Sequence, residues 1–269
     1  MNFLITGATS GIGLETALLF AQKGHRVWGV SRSVIESPSE QILFHSMDVT
    51  DQVSIQGGIK KIWGESNGID VVVHCAGFGI GGSAEDTPLE DARAQFATNY
   101  FGVLAVNNEL LPLMRSRGGG RVIILGSIAG RISIPFQSHY SASKFALEAY
   151  TEALRIEGKA FGITATIIEA GDTKTPFTAH RRLTINEGSP YYEQATRSIA
   201  KMAHDEEGGY SPTNVAHAIY KVALKKNPPI RKPVGFSYSL LMLLKRILPD
   251  RLIEVIITRM YLPTRPQGQ

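Results

Sequence analysis

Apolar residues along the chain occur in two alternating patterns. Short unbroken apolar runs predict six strands, which end at residues 6, 32, 48, 74, 126 and 169. Between these runs, apolar residues recur every three to four positions, which is typical of helices packed against a sheet. The two longest helices are predicted over residues 89–117, with a kink near Gly102, and over residues 138–161. A shorter helix is predicted over residues 51–63, with Thr50 as its N-cap. This alternation predicts an α/β fold, a Rossmann doubly wound parallel sheet flanked by helices on both faces.

The pattern changes after residue 171. Residues 172–211 are polar and mixed, which favours a substrate lid or specificity loop beside a site. Within this stretch, Arg181-Arg182 is interpreted as part of a solvated surface. The elements expected further on are a helix, a seventh strand and two strongly apolar helices, at residues 212–227, 230–234, 238–248 and 252–262. We therefore predict a single Rossmann-type dinucleotide-binding and catalytic domain over residues 1–235. A C-terminal apolar helical extension over residues 236–269 is expected to pack on it.

A glycine-rich loop joins the first strand to the first helix, and it reads Gly7-Ala8-Thr9-Ser10-Gly11-Ile12-Gly13. Glycines let the backbone approach a pyrophosphate closely, and the N-terminus of the helix offers free N–H groups and a partial positive charge. An ordinary tight turn is the alternative, but the order strand, glycine loop, helix favours a dinucleotide site. The predicted cofactor-binding residues of the loop are Gly7, Thr9, Ser10, Gly11, Ile12 and Gly13.

The second strand ends in Ser31-Arg32. A cofactor with a bare ribose usually meets an acidic residue at this position, which accepts a hydrogen bond from the 2′-hydroxyl. A guanidinium instead pairs with a 2′-phosphate, which a carboxylate would repel. Ser31 and Arg32 therefore predict that NADP(H) is preferred over NAD(H). The alternative is a solvated surface arginine.

Tyr140 and Lys144 are four residues apart on a predicted helix, with Ser127 at the end of the preceding strand. This spacing places the phenol and the ammonium on one face of the helix. A neighbouring positive charge favours phenolate, so we expect the pKa of Tyr140 to be lowered. A tyrosine of that kind exchanges protons with a substrate, and Ser127 would hydrogen-bond a substrate oxygen.

Composition narrows the possible functions. The chain has 269 residues, of which 43% are apolar and 19% charged, and this excludes a disordered protein. Its net charge is +4 and its pI about 9.1, with no dense basic block, so we predict no nucleic-acid partner. We also predict no metal site. A single cysteine, Cys75, fits a reducing compartment. We expect no signal peptide, no membrane span and a cytoplasmic location.

Several of these residues form the pattern of a known family. The chain resembles the short-chain dehydrogenase/reductases over residues 1–225. The resemblance rests on Thr6-Gly7-x-x-x-Gly11-Ile12-Gly13, Asp48-Val49, Ala76-Gly77, Asn99, Ser127 and Tyr140-x-x-x-Lys144. It implies an enzyme that acts on CH–OH groups with NAD(P) as acceptor.

The resemblance also implies a role for each matching residue. The catalytic set would be Asn99, Ser127, Tyr140 and Lys144. Tyr140 would protonate the alkoxide during reduction, and Ser127 would hold the carbonyl oxygen. Lys144 would lower the pKa of Tyr140 and bind the nicotinamide ribose, and Asn99 would hold a water in a proton relay to Lys144.

The cofactor would extend along the same edge of the sheet. The resemblance places the adenine near Asp48. The other cofactor-binding residues implied are Val49, Ala76, Gly77, Tyr140, Lys144, Gly171 and Thr173.

Two short stretches depart from the family pattern. The chain has His74-Cys75-Ala76-Gly77 where the family often has Asn-Asn-Ala-Gly. We interpret His74 as a packing or backbone-supporting residue and Cys75 as a small buried residue. The chain has Ala170-Gly171 where the family often has Pro-Gly, and Thr173 and Thr175 are candidates to help hold the nicotinamide carboxamide.

Residues 169–175 and the apolar tail resemble the hydroxysteroid and retinol dehydrogenase-like branch, which implies a lipophilic substrate. The resulting hypothesis is an NADP(H)-dependent oxidoreductase that interconverts a ketone or aldehyde and an alcohol on a steroid-, retinoid- or lipid-like molecule. The alternatives are a ketoacyl-thioester reductase and a non-catalytic NADP(H)-binding sensor.

The apolar tail leaves its partners open. Residues 238–262 could cover the substrate, pack on the core, form a subunit interface or contact a membrane surface through their basic residues. The resemblance implies a homodimer or homotetramer.

Overall fold

The computed structural model describes residues 1–262. The strands, in chain order, are Asn2–Thr6 (β1), Arg26–Ser31 (β2), Ile42–Ser46 (β3), Val71–His74 (β4), Ile80–Gly81 (β5), Gly120–Leu125 (β6), Ile163–Glu169 (β7), Arg182–Leu183 (β8) and Arg231–Pro233 (β9). The α-helices are Gly11–Gln22 (α1), Gln52–Ser66 (α2), Leu89–Phe96 (α3), Gly102–Ser116 (α4), Ser138–Gly158 (α5), Tyr192–Glu207 (α6), Pro212–Leu224 (α7), Phe236–Lys245 (α8) and Asp250–Tyr261 (α9).

Seven of these strands form one parallel sheet in the order β3-β2-β1-β4-β6-β7-β9. The strand order reverses between β1 and β4, so the connections after these two strands diverge and leave a crevice at their carboxyl ends. The predicted Rossmann fold, with all strand ends at one edge, is confirmed. The short strands β5 and β8 pair separately in a two-stranded sheet, which the sequence did not predict.

Side chains alternate between two buried layers along each central strand. Leu4 and Val72 belong to the core on the side of α2, α4 and α5. Phe3 and Val73 belong to the core on the side of α1 and α7. A strand that is covered on both faces needs apolar residues at every position, which is why these strands are unbroken apolar runs.

The predicted helix over residues 89–117 is interrupted. A π-helical turn at Ala97–Phe101 separates α3 from α4, directly before Gly102 where a kink was expected. A π turn adds a residue to the helix and is often found at functional sites. Here it carries Asn99.

Two local predictions differ from the structure. The cap of α2 is Asp51, whose carboxylate accepts from the backbone N–H of Val53, whereas the sequence favoured Thr50. The Thr50 hydroxyl instead donates to Asp48. The predicted lid over residues 172–211 contains β8 and α6, and the helix went unrecognised because its buried positions include the small residues Ala195 and Ser198.

The C-terminal helices pack over one end of the sheet. Met242 of α8 and Ile253 of α9 are buried against Ile128 and Ile132. No helix within residues 1–262 has both the length and the apolar character to cross a bilayer. Residues 263–269 of the predicted extension lie outside the described residues, and the division at residue 235 stays a prediction.

Candidate active site

The glycine loop forms a cradle at the start of α1. Gly7 has a φ of +64°, and a Cβ atom on Gly13 would lie 2.2 Å from the carbonyl oxygen of Gly7. The first turn of α1 contains no acidic residue, and the side chain of the capping residue Ser10 makes no capping hydrogen bond. The backbone N–H groups of this turn are therefore suited to an anion. These residues fit the phosphates of a dinucleotide.

The loop is linked to the end of β2. The hydroxyl of Thr9 donates to that of Ser31 at 3.0 Å, and the next residue, Arg32, is exposed. Asp48 follows β3 nearby. Its pKa is lowered, first because the backbone N–H of Thr50 donates to it and also because Arg32 is close. Val49 packs against Gly102, at the start of α4.

Asn99 supports the loop after β4. Its buried side chain accepts from the backbone N–H of Phe78 and donates to the Phe78 carbonyl, each at 3.0 Å. It also donates to the hydroxyl of Ser143 on α5 at 3.2 Å. Asn99 thus joins the Gly77–Phe78 loop to the helix that carries Tyr140 and Lys144, and it lies behind the pocket wall.

Ser127, Tyr140 and Lys144 meet at the centre of the edge. A short 3₁₀ turn at Ile128–Gly130 follows β6, and the hydroxyl of Ser127 caps it. The turn packs on α5, since a Cβ on Gly130 would lie 2.9 Å from the Lys144 carbonyl oxygen. The Lys144 ammonium donates to the Leu125 carbonyl at 2.8 Å and lies 5.6 Å from the centre of the Tyr140 ring.

The protonation of this pair differs from the prediction. Burial raises the pKa of Tyr140 to about 12, and the Ser127 hydroxyl offsets this only in part. Burial lowers the pKa of Lys144 to about 8. The expectation of a lowered Tyr140 pKa is therefore wrong for this structure, because loss of solvent around the phenol outweighs the hydrogen bond with Ser127. Tyr140 is a neutral phenol at neutral pH.

A pocket of about 360 Å³ opens from these residues. One side is the cofactor edge, which includes Gly7, Gly13, Ala76 and Gly77. The other side comes from the C-terminal part of the chain: Thr175, Phe177, Met202, Leu241, Ile257 and Met260. The pocket thus has the polar side chains of Ser127, Tyr140 and Lys144 at the sheet edge. The opposite side is mostly apolar but also includes Asp172, His180 and Glu206.

Tyr238 attaches the C-terminal helices to this site. Its hydroxyl donates to the Asp172 carboxylate at 2.6 Å and accepts from the Asp172 backbone N–H at 3.0 Å. Its ring packs so closely on Gly171 that a Cβ there would lie 2.2 Å from ring atoms. The glycine at 171 is therefore required by α8, and Thr173 donates back to its carbonyl at 2.9 Å.

An ion pair that the sequence did not reveal lies beside Tyr140. Arg181, which the sequence favoured as part of a solvated surface, is buried and paired with Glu206 of α6. Glu206 also accepts from Thr178, lines the pocket and helps to raise the pKa of Tyr140. Arg182 is exposed and pairs with Asp91. Nothing in the sequence Arg181-Arg182 indicates that the first arginine is buried and the second exposed.

Two residues that depart from the family pattern lie at the end of β4: His74 is its last residue and Cys75 follows it. His74 is buried, and its ring bonds to the amide oxygen of Asn107 at 2.9 Å. Burial lowers its pKa to about 4, so the ring is neutral. Cys75 lines the pocket, and burial raises its thiol pKa to about 12, so it is a poor nucleophile.

The predicted residues thus occupy three positions around the pocket. Those that line it are Gly7, Ser10, Gly11, Ile12, Gly13, Ala76, Gly77, Ser127, Tyr140, Lys144, Gly171 and Thr173. Five others lie at or after the ends of β1, β2 and β3, at the same edge and outside the pocket lining: Thr9, Ser31, Arg32, Asp48 and Val49. Asn99 lies behind the loop after β4.

A parallel sheet whose crevice holds a phosphate cradle next to a proton-donating phenol is the architecture of a dinucleotide-dependent oxidoreductase. Comparisons with known proteins agree. The model of the short chain dehydrogenase family matches residues 2–186. The chain belongs to this family. It is an oxidoreductase that acts on CH–OH groups with NAD(P).

Individual relatives match along nearly the whole chain. A 3-ketodihydrosphingosine reductase from Bacteroides thetaiotaomicron is 37% identical over 264 residues, which cover 96% of this chain and 97% of the relative. The probable short-chain type dehydrogenase/reductase VdlC from Helicobacter pylori is 33% identical over 269 residues, covering 94% and 97%. The crystal structure of a short-chain dehydrogenase from Streptomyces avermitilis superposes with a TM-score of 0.82 at 27% identity, covering 96% and 98%.

Proposed function

We propose that this protein is an NADP(H)-dependent oxidoreductase that interconverts a ketone or aldehyde and an alcohol on a lipophilic substrate. The observation that carries the proposal is the pocket in which the phenol of Tyr140 faces an apolar wall from the C-terminal helices. A carbonyl group held at Tyr140 would leave the rest of the molecule against that wall. Burial of this apolar part supplies affinity without further polar contacts.

In this proposal Tyr140 is the proton donor for reduction. A phenol with a pKa of about 12 stays protonated at neutral pH and can donate to an alkoxide as it forms. The Ser127 hydroxyl, which lies beside the phenol, orients the carbonyl oxygen. The cofactor supplies the hydride for reduction and accepts it for oxidation.

Lys144 and Asn99 act on the other side of Tyr140. With a pKa of about 8, Lys144 is mostly charged at neutral pH and stabilises negative charge that develops on the phenol. It would also bind the nicotinamide ribose. Both donor hydrogens of the Asn99 amide are already used, so a relay water would be held by its remaining acceptor capacity.

The cofactor preference is proposed from Arg32. This residue is exposed at the end of β2, next to Ser31 and Thr9, where a 2′-phosphate would need a positive charge. The glycine loop, Ala76 and Gly77 would hold the rest of the dinucleotide, with the adenine near Asp48 and Val49. Gly171 and Thr173 would lie near the nicotinamide.

The lipophilic substrate has two supports. Leu241, Ile257 and Met260 give the pocket an apolar wall. The relative named a 3-ketodihydrosphingosine reductase is 37% identical, and its name describes a lipid-like keto substrate. A homodimer or homotetramer and a cytoplasmic location stay predictions.

The direct test follows the loss of reduced-nicotinamide absorbance with NADPH and with NADH, over a panel of lipophilic and small polar ketones. We expect turnover with NADPH on lipophilic ketones. Activity on acyl-carrier thioesters alone would instead favour the ketoacyl-thioester reductase. Tight NADPH binding without turnover on either class would favour the sensor.

A further inference from the structure

Helix α8 is apolar on two opposite sides. One side, with Tyr238, Leu241 and Met242, packs into the protein. The other side is exposed and consists of Phe236, Leu240, Leu243 and Leu244, and Ile247 in the turn that follows the helix is exposed as well. The four helical positions recur with the spacing of one helical face, and Phe236 and Ile247 are 82% and 73% exposed. A helix that is apolar all round is normally buried, so this side is suited to a partner.

Exposed apolar residues recur on α9, and one of them lines the pocket. Leu252, Val255 and Met260 are also exposed. Met260 lines the pocket as well, so its side chain belongs both to the outer surface and to the apolar wall. We call these eight exposed residues of 236–260 the α8–α9 surface. A molecule held against it would be close to the mouth of the pocket.

The charges around the α8–α9 surface are mainly positive. Residues 236–262 contain four basic side chains, Lys245, Arg246, Arg251 and Arg259, and two acidic ones, Asp250 and Glu254. Lys245 pairs with Asp250 at 3.1 Å, and the three arginines are exposed. Apolar residues with arginines beside them suit the interface of a bilayer that contains anionic lipids, where each basic residue adds attraction. A second copy of this surface would bring the same positive charges together.

We propose that the α8–α9 surface docks on an anionic lipid bilayer, with the mouth of the pocket at Met260 facing the lipid. Apolar side chains would enter the acyl boundary, and the arginines would contact the headgroups. That a lipophilic ketone passes from the bilayer into the pocket rests on the proposed function. The docking itself does not depend on it.

Sedimentation with vesicles tests the docking, using the full chain without substrate or cofactor. The vesicles are phosphatidylcholine with and without phosphatidylglycerol, at low and high salt. We expect binding to the vesicles that contain phosphatidylglycerol, weakened by salt. Replacing the two most exposed residues, in Phe236→Glu with Ile247→Glu, should reduce the bound fraction roughly ten-fold or more. Arg246→Gln with Arg251→Gln should reduce it roughly ten-fold.

A matched control introduces the same two glutamates at exposed apolar positions elsewhere on the protein. Val53→Glu with Leu89→Glu adds the same charges at exposed apolar positions of α2 and α3, and it should bind vesicles like the wild type. Thermal unfolding followed by circular dichroism should match that of the wild type in all three double variants, which shows that each is folded.

Two results would overturn the docking. One is a wild type that stays in solution with every vesicle at low salt. The other is a Phe236/Ile247 variant that changes the subunit number by light scattering while vesicle binding is unchanged, since a second copy would then cover the surface. Vesicle binding by a wild type that reduces no ketone would support docking and contradict the proposed function.

Discussion

The two sides of the pocket are built in different ways. The cofactor side comes from strand ends and the loops that follow them, so each residue lies within a few positions of a buried strand. The substrate side comes from residues 172–183 and from α6, α8 and α9. It is held by contacts between distant residues, such as Tyr238 with Asp172, 66 positions apart, and Glu206 with Thr178, 28 positions apart.

This difference suggests that one side of the pocket carries out the reaction and the other determines which substrate binds. On the cofactor side, backbone atoms fix the shape, as where Gly13 passes the carbonyl of Gly7, so few changes are tolerated. On the substrate side, apolar side chains define the shape, and these can be exchanged at moderate cost. We therefore expect substitutions on the first side to remove turnover or change the cofactor, and those on the second to change which substrate is used.

The largest effect is expected for Tyr140→Phe. The variant keeps the ring and removes the only atom that can donate the proton, so kcat should fall roughly 10²- to 10⁴-fold. NADPH binding, followed by cofactor fluorescence, should be unchanged. A variant whose kcat stays close to that of the wild type would show that the proton comes from another group.

Arg32→Asp is expected to have the next largest effect. Loss of a charge-assisted hydrogen bond and the new repulsion should lower kcat/KM for NADPH roughly 100-fold while NADH is affected little. Arg26→Asp, at the opposite end of the same strand, is the matched control and should leave the ratio of kcat/KM for NADPH to that for NADH unchanged. If Arg32→Asp also leaves this ratio unchanged, a residue other than Arg32 binds the 2′-phosphate.

The buried, neutral state of His74, next to the cofactor side of the pocket, can be tested through the pH dependence of the free energy of unfolding. Its pKa is about 4 in the folded protein and 6.5 ordinarily, so the unfolded chain takes up the proton first as pH falls. The neutral His74 ring therefore makes its full contribution to the free energy of unfolding above pH 6.5. This contribution is lost progressively towards pH 4, by about 2 kcal/mol at pH 5. Urea unfolding of wild type and His74→Asn at pH 7 and pH 5 measures this.

We expect the free energy of unfolding of His74→Asn to fall less between these pH values, by about the same 2 kcal/mol. His217→Asn, at an exposed position of α7, is the control and should follow the wild type. Equal pH dependence in all three proteins would contradict a neutral, buried His74.

The smallest effect is expected on the substrate side. Met260→Ser removes apolar contact at the pocket mouth, so KM for a long-chain ketone should rise roughly ten-fold, with little change for a small polar ketone. Val255→Ser lies on the same helix outside the pocket and serves as the control in vesicle-free solution. An equal rise in KM for both ketones would show that Met260 does not contribute to the preference for a long-chain substrate.

The sequence predicted the cofactor side well because its signals are local. Gly7 to Gly13 lie in one glycine-rich stretch directly after an unbroken apolar strand, and Tyr140 and Lys144 lie one turn apart on one helix. The sheet followed from the same alternation. Where the tertiary structure determines a property, as for the pKa of Tyr140, the local argument failed, since burial of the phenol raises this pKa and outweighs the hydrogen bond with Ser127.

The substrate side could not be predicted in the same way. The buried pair of Arg181 and Glu206 depends on α6 lying against the loop that precedes it, and nothing in Arg181-Arg182 distinguishes the buried residue from the exposed one. Helix α6 itself does have apolar spacing at Ala195, Ile199 and Met202, but small and polar residues weaken it. The use of Met260 at the pocket requires the packing of α9 to be known.

The most direct single measurement is kcat/KM with NADPH for a homologous series of ketones that differ only in the length of an unbranched alkyl chain. If the reaction takes place at Tyr140 and the apolar residues of α8 and α9 in the pocket bind an alkyl chain, kcat/KM should rise roughly four-fold per methylene group until these residues are covered. KM for NADPH should stay constant. A series in which kcat/KM does not change with chain length, or falls from the shortest ketone onward, would contradict this division of the pocket.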